Sequence, residues 1–123
     1  MKYLCLAYEE ENKFKAMSPE EWKLLRDETF AYVKELRRNG RLISTEALQS
    51  ARRATTVRVR DGKVTQTDGP FAETKEQLGG FFLIEAKDSD EAARVASMWP
   101  SARLGSIEVR PIEEVLRQEE RYP

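Results

Sequence analysis

The stretch FFLIEAKDSDEAARVASMWP, residues 81–100, decides the fold. Residues 81–86 are the most apolar run in the chain, and a helix start follows them, with Asp88 three residues before Glu91. That spacing is typical of a capping box, in which two side chains bond the free N–H groups of the first turn. The inner face of this helix is predicted from spacings of three and four residues: Ala92, Val95, Ala96 and Trp99. Pro100 ends the pattern, so the stretch predicts a buried strand followed by an amphipathic helix.

A second strand and helix precede it in the same order. Residues 2–8 are apolar at both alternating sets of positions, which is typical of a strand buried on both faces. Ser18, Pro19 and Glu21 form the start of a helix with a capping box, and Asn39-Gly40 ends it. One face of this helix is predicted to consist of Trp22, Leu25, Thr29, Val33 and Leu36.

The remaining strands surround a hairpin. Residues 55–60 and 63–67 are alternating β-branched segments joined by Asp61-Gly62, which is a strong signal for a two-residue hairpin turn. A short strand is predicted at 41–46 before the hairpin, and the last strand is predicted at 106–112.

The predicted order is strand, helix, strand, hairpin, strand, helix, strand. Two β-α-β units around a hairpin are typical of an α+β, ferredoxin-like fold, with two helices on one face of an antiparallel sheet. We expect one domain over residues 1–112, a charged C-terminal tail over 113–123 and a loop at 9–17.

The two faces of the sheet are both apolar. We expect one set to face the helices: Leu4, Leu6, Phe82, Ile84, Ile107 and Val109. The other set then faces away: Tyr3, Cys5, Ala7, Phe81 and Leu83. The reversed assignment is the alternative. Because a large apolar face does not stay exposed in a monomer, we expect a homodimer whose sheets pack face to face.

Charged residues share the open face in this assignment. Glu85, Glu108 and Arg110 alternate to that side of their strands. A charge on a covered sheet face is costly unless it is paired. We therefore expect Arg110 to pair with Glu108 or Glu85, or these residues to line a cleft that holds water or ligand.

The composition of the 123 residues excludes several kinds of chemistry. The chain has no histidine and one cysteine, which excludes an internal disulfide, Ser-His and Cys-His catalysis and histidine–metal sites. Residues 34–63 hold nine basic and three acidic side chains, but the net charge of −1 argues against nucleic-acid binding. No apolar run approaches the roughly 20 residues of a membrane span. We expect a cytoplasmic protein without a signal peptide, cofactor or transition metal. A carboxylate magnesium site from Asp68, Glu73, Glu85 and Glu108 is the remaining alternative.

The segment DGPFAETKEQLGGFFLIEA, residues 68–86, resembles the signature of the DGPF proteins, a branch of the YCII-related family. MKYLCLAY (1–8), ALQSARRATTVRVRDGKVTQT (47–67) and LGSIEVRPI (104–112) are similar to the same family. The resemblance implies a small bacterial protein that forms a dimeric α+β barrel, with a cleft between sheet and loop. Catalysis in the wider family is attributed to a histidine–aspartate pair, which this chain cannot supply, and Asp68 is the acid that remains.

Residues from the signature loop and the sheet are predicted to line one cleft. The candidate catalytic acids are Asp68 and Glu73. The candidate ligand-binding residues are Tyr3, Phe71, Thr74, Lys75, Glu85, Glu108 and Arg110. A guanidinium suits a carboxylate or phosphate of the ligand. The alternatives are a rigid turn at Asp68-Gly69-Pro70 and a helical turn with self-paired charges at 73–76.

The sequence thus predicts a homodimeric protein that binds a small polar or anionic ligand. If it is an enzyme, it is a cofactor-free lyase or isomerase with Asp68 or Glu73 as general base. The alternative is a regulatory protein that binds a partner, for instance a sigma factor, since some members of the family that the chain resembles are encoded beside extracytoplasmic-function sigma factors. A regulatory protein of this kind would bind its partner through the basic segment or the hairpin and not through the cleft.

Overall fold

Four strands form one antiparallel sheet and two more form a separate hairpin in the computed structural model, which describes residues 1–123. The elements are β1 (Lys2–Glu9), α1 (Glu11–Lys15), α2 (Pro19–Arg38), β2 (Leu42–Ala47), β3 (Thr55–Arg60), β4 (Lys63–Asp68), β5 (Gln77–Glu85), α3 (Ser89–Ser97), β6 (Ser106–Pro111) and α4 (Gln118–Arg121). The sheet order is β2-β5-β1-β6. This arrangement confirms the predicted α+β, ferredoxin-like plan, with the β3-β4 hairpin inserted between β2 and β5.

Both ends of α2 follow the predicted local chemistry. The Ser18 hydroxyl accepts from the Glu21 backbone N–H and the Glu21 carboxylate accepts from the Ser18 N–H, both at 3.1 Å. At the other end Gly40 has φ +76°, and the Arg41 N–H donates to the Leu36 carbonyl at 2.8 Å. The left-handed glycine therefore satisfies a carbonyl that the helix leaves free.

The expected loop at 9–17 is wrong in part, because residues 11–15 form α1. Glu11 lies in its first turn and Lys13 and Lys15 in its last, which is the charge order that a helix dipole favours. The Phe14 ring meets Trp22 of α2 edge to face, with ring centroids 6.3 Å apart. A short charged segment thus becomes helical because one aromatic residue anchors it to α2.

The assignment of faces is correct for β5 and β6 and wrong for β1. Cys5 lies opposite both Phe82 and Val109, and directly opposed residues share a face of the sheet. Tyr3, Cys5 and Ala7 are therefore buried under the helices. Leu4 and Leu6 lie on the open face with Phe81 and Leu83, and all four are partly exposed.

The core lies between the sheet and helices α2 and α3. Phe82 is fully buried and stacks on Trp99, with ring centroids 4.0 Å apart and planes 11° apart. Tyr32 of α2 packs edge-on to Trp99 and donates its hydroxyl to the Val95 carbonyl at 2.7 Å. One aromatic cluster therefore joins β5 to both helices.

The hairpin projects from this layer. Asp61 and Gly62 both have positive φ, as a type I′ turn requires. Its base is tied to Gly69, whose N–H donates to the Ala54 carbonyl at 2.7 Å and whose carbonyl accepts from the Thr56 hydroxyl at 2.8 Å. One face of the hairpin carries three valines that are each more than half exposed: Val57, Val59 and Val64.

None of the helices combines the length and the apolar character that a membrane span requires.

Candidate functional site

The structure places the predicted sheet residues away from the signature loop. Tyr3 is 2% exposed and lies in the core, because β1 presents its odd-numbered residues to the helices. Glu85 pairs with the N-terminal amine at 3.1 Å, near the start of β1. The signature loop leads into Gln77, which lies opposite Glu9 at the other end of β1. These two ends are about 20 Å apart along the strand.

Arg110 pairs with Glu108, which confirms one of its two expected partners. Both residues lie on β6, two positions apart and on the open side of the sheet. Their side chains are well exposed, so this pair is worth little to stability. Glu85 does not take part.

The signature loop, residues 69–76, is held by hydrogen bonds from side chains to its backbone carbonyls. The Gln77 side-chain amide donates to the carbonyls of Ala72 and Thr74, at 3.1 and 3.0 Å. The Thr74 hydroxyl donates to the Glu76 carbonyl at 2.6 Å. The two candidate acids and Lys75 are exposed on this part of the chain; Asp68 ends β4, Glu73 lies in the loop, and Lys75 approaches Glu10 at 3.9 Å.

A wide cleft, which we call the loop cleft, lies between the signature loop and the base of the hairpin. Its volume is about 930 Å³. Among the candidate residues it is lined by Phe71 and Thr74 but not by Asp68, Glu73 or Lys75. Phe71 is 81% exposed, so it forms an open wall and not a plug.

A second cleft, the helix cleft, lies between α2 and the end of the sheet that carries Glu9. Its volume is about 520 Å³. Aromatic and aliphatic side chains form most of its wall: Phe14, Trp22, Leu25, Phe30, Val33 and Trp99. The charged residues that line it are Glu9, Arg26, Arg37 and Glu46. Both tryptophans of the chain thus face this one cleft.

Glu9 is the partly buried acid of the helix cleft, whereas the other acidic lining residue, Glu46, is exposed. Glu9 ends β1 on the same face as Ala7, and its carboxylate has neither a hydrogen bond nor an ion pair within the protein. Burial, with a smaller contribution from the charge of Glu11, raises the pKa of the Glu9 carboxyl above its ordinary value. A carboxyl in this setting is a candidate proton donor or acceptor.

Glu11 shows the opposite behaviour two residues later. Its carboxylate accepts from the Ala51 backbone N–H at 2.8 Å and from the Ser50 hydroxyl at 2.9 Å. The Ala51 hydrogen bond is the main reason that the pKa of Glu11 is lowered. Two neighbouring carboxyls with pKa values pushed apart can play different roles, and here Glu11 anchors α1 while Glu9 faces the cleft.

Sequence reasoning missed Glu9 for two reasons. It ended the first strand at Tyr8 and assigned Glu9 to the loop at 9–17, whereas Glu9 is the last residue of β1, and it gave β1 the wrong facing. With Tyr3, Cys5 and Ala7 facing the helices, Glu9 continues the same alternation as a charged residue on a buried face. A charged residue that continues a row of buried apolar residues on one strand face is the signal that would have identified Glu9.

The structure assembles no alternative reactive group at this site. Burial raises the pKa of the Cys5 thiol to about 12, so its thiolate is not accessible near neutral pH. No three acidic or thiol side chains converge as metal ligands, so Asp68, Glu73, Glu85 and Glu108 do not form the alternative magnesium site.

Comparison with known proteins shows the family of the chain. The YCII-related domain matches residues 1–116. The chain belongs to the YCII-related family. An uncharacterised protein of Rhizobium meliloti (strain 1021) is 38% identical over 114 residues, which cover 91% of this chain and 92% of that protein. The match to the YCII-related domain includes β1 to β6 and both clefts, and ends before α4.

Replacing Glu9 with Gln should change how the stability of this YCII-related protein depends on pH. Because the folded pKa is raised above the ordinary 4.5, neutral Glu9 stabilises the fold below pH 4.5, and this contribution is lost as pH rises through the raised pKa. Gln stays neutral. The free energy of unfolding of Glu9→Gln, measured in urea over a pH series, should therefore rise relative to wild type across that window.

Glu11→Gln is the matched control with the opposite sign. Its lowered pKa means that the charged carboxylate stabilises the fold above pH 4.5, and that this contribution is lost as pH falls through the lowered value. If the stability curves of wild type and Glu9→Gln run parallel, Glu9 is not held in a desolvated position.

Proposed function

We propose that this protein binds a small molecule in the helix cleft and does so as a homodimer. The observation that carries the proposal is the Glu9 carboxyl, which has no protein partner and faces a cleft of about 520 Å³. Ligand sites are usually mostly apolar clefts of roughly 300–1,000 Å³ with a few converging polar groups. The helix cleft has that combination, whereas Asp68 and Glu73 are exposed outside both clefts.

The lining residues suit a ligand with an apolar body and one polar or anionic group. The aromatic walls take the body, and the guanidinium groups of Arg26 and Arg37 supply positive charge. Glu9 donates a hydrogen bond when protonated and accepts one when ionised. A raised pKa also brings a carboxyl closer to the working pH of a general acid or base. If the protein is a lyase or isomerase, Glu9 takes the role that the sequence predicts for Asp68 or Glu73.

The loop cleft is the second candidate for the ligand. The two clefts lie on opposite sides of the first residues of β5, since Leu78 lines the loop cleft while Gly79 and Gly80 line the helix cleft. Leu48 lines both. The exposed Phe71 ring favours the loop cleft as the ligand site. The Glu9 carboxyl, which has no partner in the protein, favours the helix cleft.

Anilinonaphthalene sulfonate, an aromatic anion, tests which cleft binds. Both tryptophans line the helix cleft, so a probe bound there quenches their emission in a saturable way. Thr29→Phe should fill the helix cleft and weaken binding at least tenfold, or about 1.4 kcal/mol. Thr74→Phe is the matched control, because each threonine lines one cleft and donates to a backbone carbonyl.

Binding that is lost in Thr74→Phe and kept in Thr29→Phe moves the site to the loop cleft. Equal binding in both variants and wild type contradicts a site in either cleft. Circular dichroism of each variant checks that the fold is intact.

The open face of the sheet supports the homodimer. Leu4, Leu6, Phe81 and Leu83 form one continuous apolar surface, because Leu4 lies opposite Leu83 and Leu6 opposite Phe81. All four are only partly buried within the chain. A second copy of the same face would cover this surface with side chains of the same kind.

Leu6→Glu should convert the dimer to a folded monomer. The new carboxylate would lie between Phe81 and Glu108, its neighbours on β5 and β6, and would be buried by the second copy. Light scattering at micromolar concentration should give twice the 14.2 kDa chain mass for wild type and the single mass for the variant. Val64→Glu, on the exposed face of the hairpin, is the control that should stay dimeric. A monomeric wild type refutes the proposal.

A regulatory role is the alternative function, and the projecting hairpin favours it. Its exposed valines and adjacent cations present a surface outside both clefts. A pull-down with a purified extracytoplasmic-function sigma factor tests it, with these residues changed to Glu: Arg52, Arg53, Arg58 and Arg60. Capture by wild type and by Thr29→Phe, but not by the charge-reversed variant, supports this role. Absence of capture by wild type argues against this partner.

A further inference from the structure

One glycine of the signature segment touches the acid of the helix cleft. We infer that Gly79 is a positioning residue, whose missing side chain leaves the space that the Glu9 carboxyl occupies. The inference rests on the proposed ligand site, since it concerns how that site holds its acid. A methyl group at Gly79 would lie 2.2 Å from both Cδ and Oε1 of Glu9 and 2.8 Å from its Cγ. Atoms of a real side chain do not approach so closely.

Space, and not backbone conformation, requires glycine at this position. The positive-φ glycines of the chain are Gly40, Gly62 and Gly69, so Gly79 has backbone angles open to other residues. The three atoms nearest to a methyl group at 79 all belong to the Glu9 side chain, so the closest conflict is with Glu9.

The position of Gly79 is fixed by a bulge in β5. Ala7 lies opposite Gly80 and Tyr8 lies opposite Leu78, so Gly79 is the extra residue between them. Its carbonyl accepts from the Leu48 N–H at 2.8 Å. Because the Gly79 carbonyl is hydrogen-bonded and the residues on either side of it pair with β1, we expect a side chain at 79 to displace the flexible Glu9 side chain and leave the strand in place.

Two nearby glycines provide a contrast. A methyl group at Gly80 would lie 2.9 Å from the backbone oxygen of Glu46, and one at Gly105 would lie 2.2 Å from the backbone oxygen of Tyr8. Those contacts are with backbone atoms, which cannot rotate away as a side chain can. Gly80 and Gly105 therefore serve the packing of the sheet, whereas Gly79 serves the side chain of Glu9.

The test follows the ionisation of Glu9 in full-length Gly79→Ala. The pH midpoint of the Glu9 carboxyl carbon, followed by NMR and assigned with Glu9→Gln, should fall from its raised value towards 4.5. Glu11 is the charge that contributes to the raised pKa of Glu9, and Arg26, Arg37 and Glu46 are the other charged residues that line the same cleft. None of them is changed in Gly79→Ala. The urea midpoint should stay close to wild type, while Gly80→Ala should lower it. An unchanged Glu9 midpoint in folded Gly79→Ala overturns the inference.

A second variant covers the case in which Gly79→Ala does not fold. The double variant Glu9→Ala, Gly79→Ala removes the clash, so restored folding supports contact with Glu9 as the reason for the glycine. Failure of the double variant, with Glu9→Ala folded, would show that Gly79 serves the backbone and would overturn the inference. Neither result depends on a ligand. A shifted midpoint in a protein that binds no probe would uphold Gly79 as a positioning residue and refute the proposed site.

Discussion

The stack of Phe82 on Trp99 is the contact on which the rest of the structure depends. Phe82 lies on the inner strand β5, and Trp99 follows α3, so the stack joins the strand and the helix of the second β-α-β unit. Tyr32 of α2 packs against the same indole, so the cluster also includes the helix of the first β-α-β unit. Because Trp99 also lines the helix cleft, the contact that closes the core forms a wall of the candidate site. The shape of that cleft is therefore coupled to the packing of the whole domain.

Local chemistry in the sequence predicts most of the fold. The Ser18–Glu21 capping box, the Asp61-Gly62 turn and the end of α2 at Gly40 each depend on a few adjacent residues. The facing of β1 depends on distant residues, because Cys5 must match both Phe82 and Val109 across two strands. Both alternating sets of β1 are apolar, so alternation within the strand does not distinguish its two faces.

The same physical reason explains how much of the candidate site could be predicted. Phe71 and Thr74 were expected at a cleft because they belong to the segment that resembles the family signature, and they line the loop cleft. Glu9 was missed because the apolar pattern of β1 ends at Tyr8 and because the facing of that strand was assigned wrongly. Arg110 was expected to pair with Glu108 on its own strand or with Glu85 on a neighbouring one, and it pairs with Glu108. The distance between Glu85 and the signature loop is set by β5, which begins at Gln77, four residues before the apolar run at 81–86 from which the strand was predicted.

The hairpin has a consequence for how copies of the chain behave in a crowded solution. Strands β3 and β4 pair only with each other, so each leaves one backbone edge open to another chain. Alternating β-branched residues on an open edge resemble the segments from which fibrils grow. Arg58, Arg60 and Lys63 lie among them, and like charges keep two such ribbons from joining edge to edge. The cations thus oppose edge-to-edge association of two hairpins.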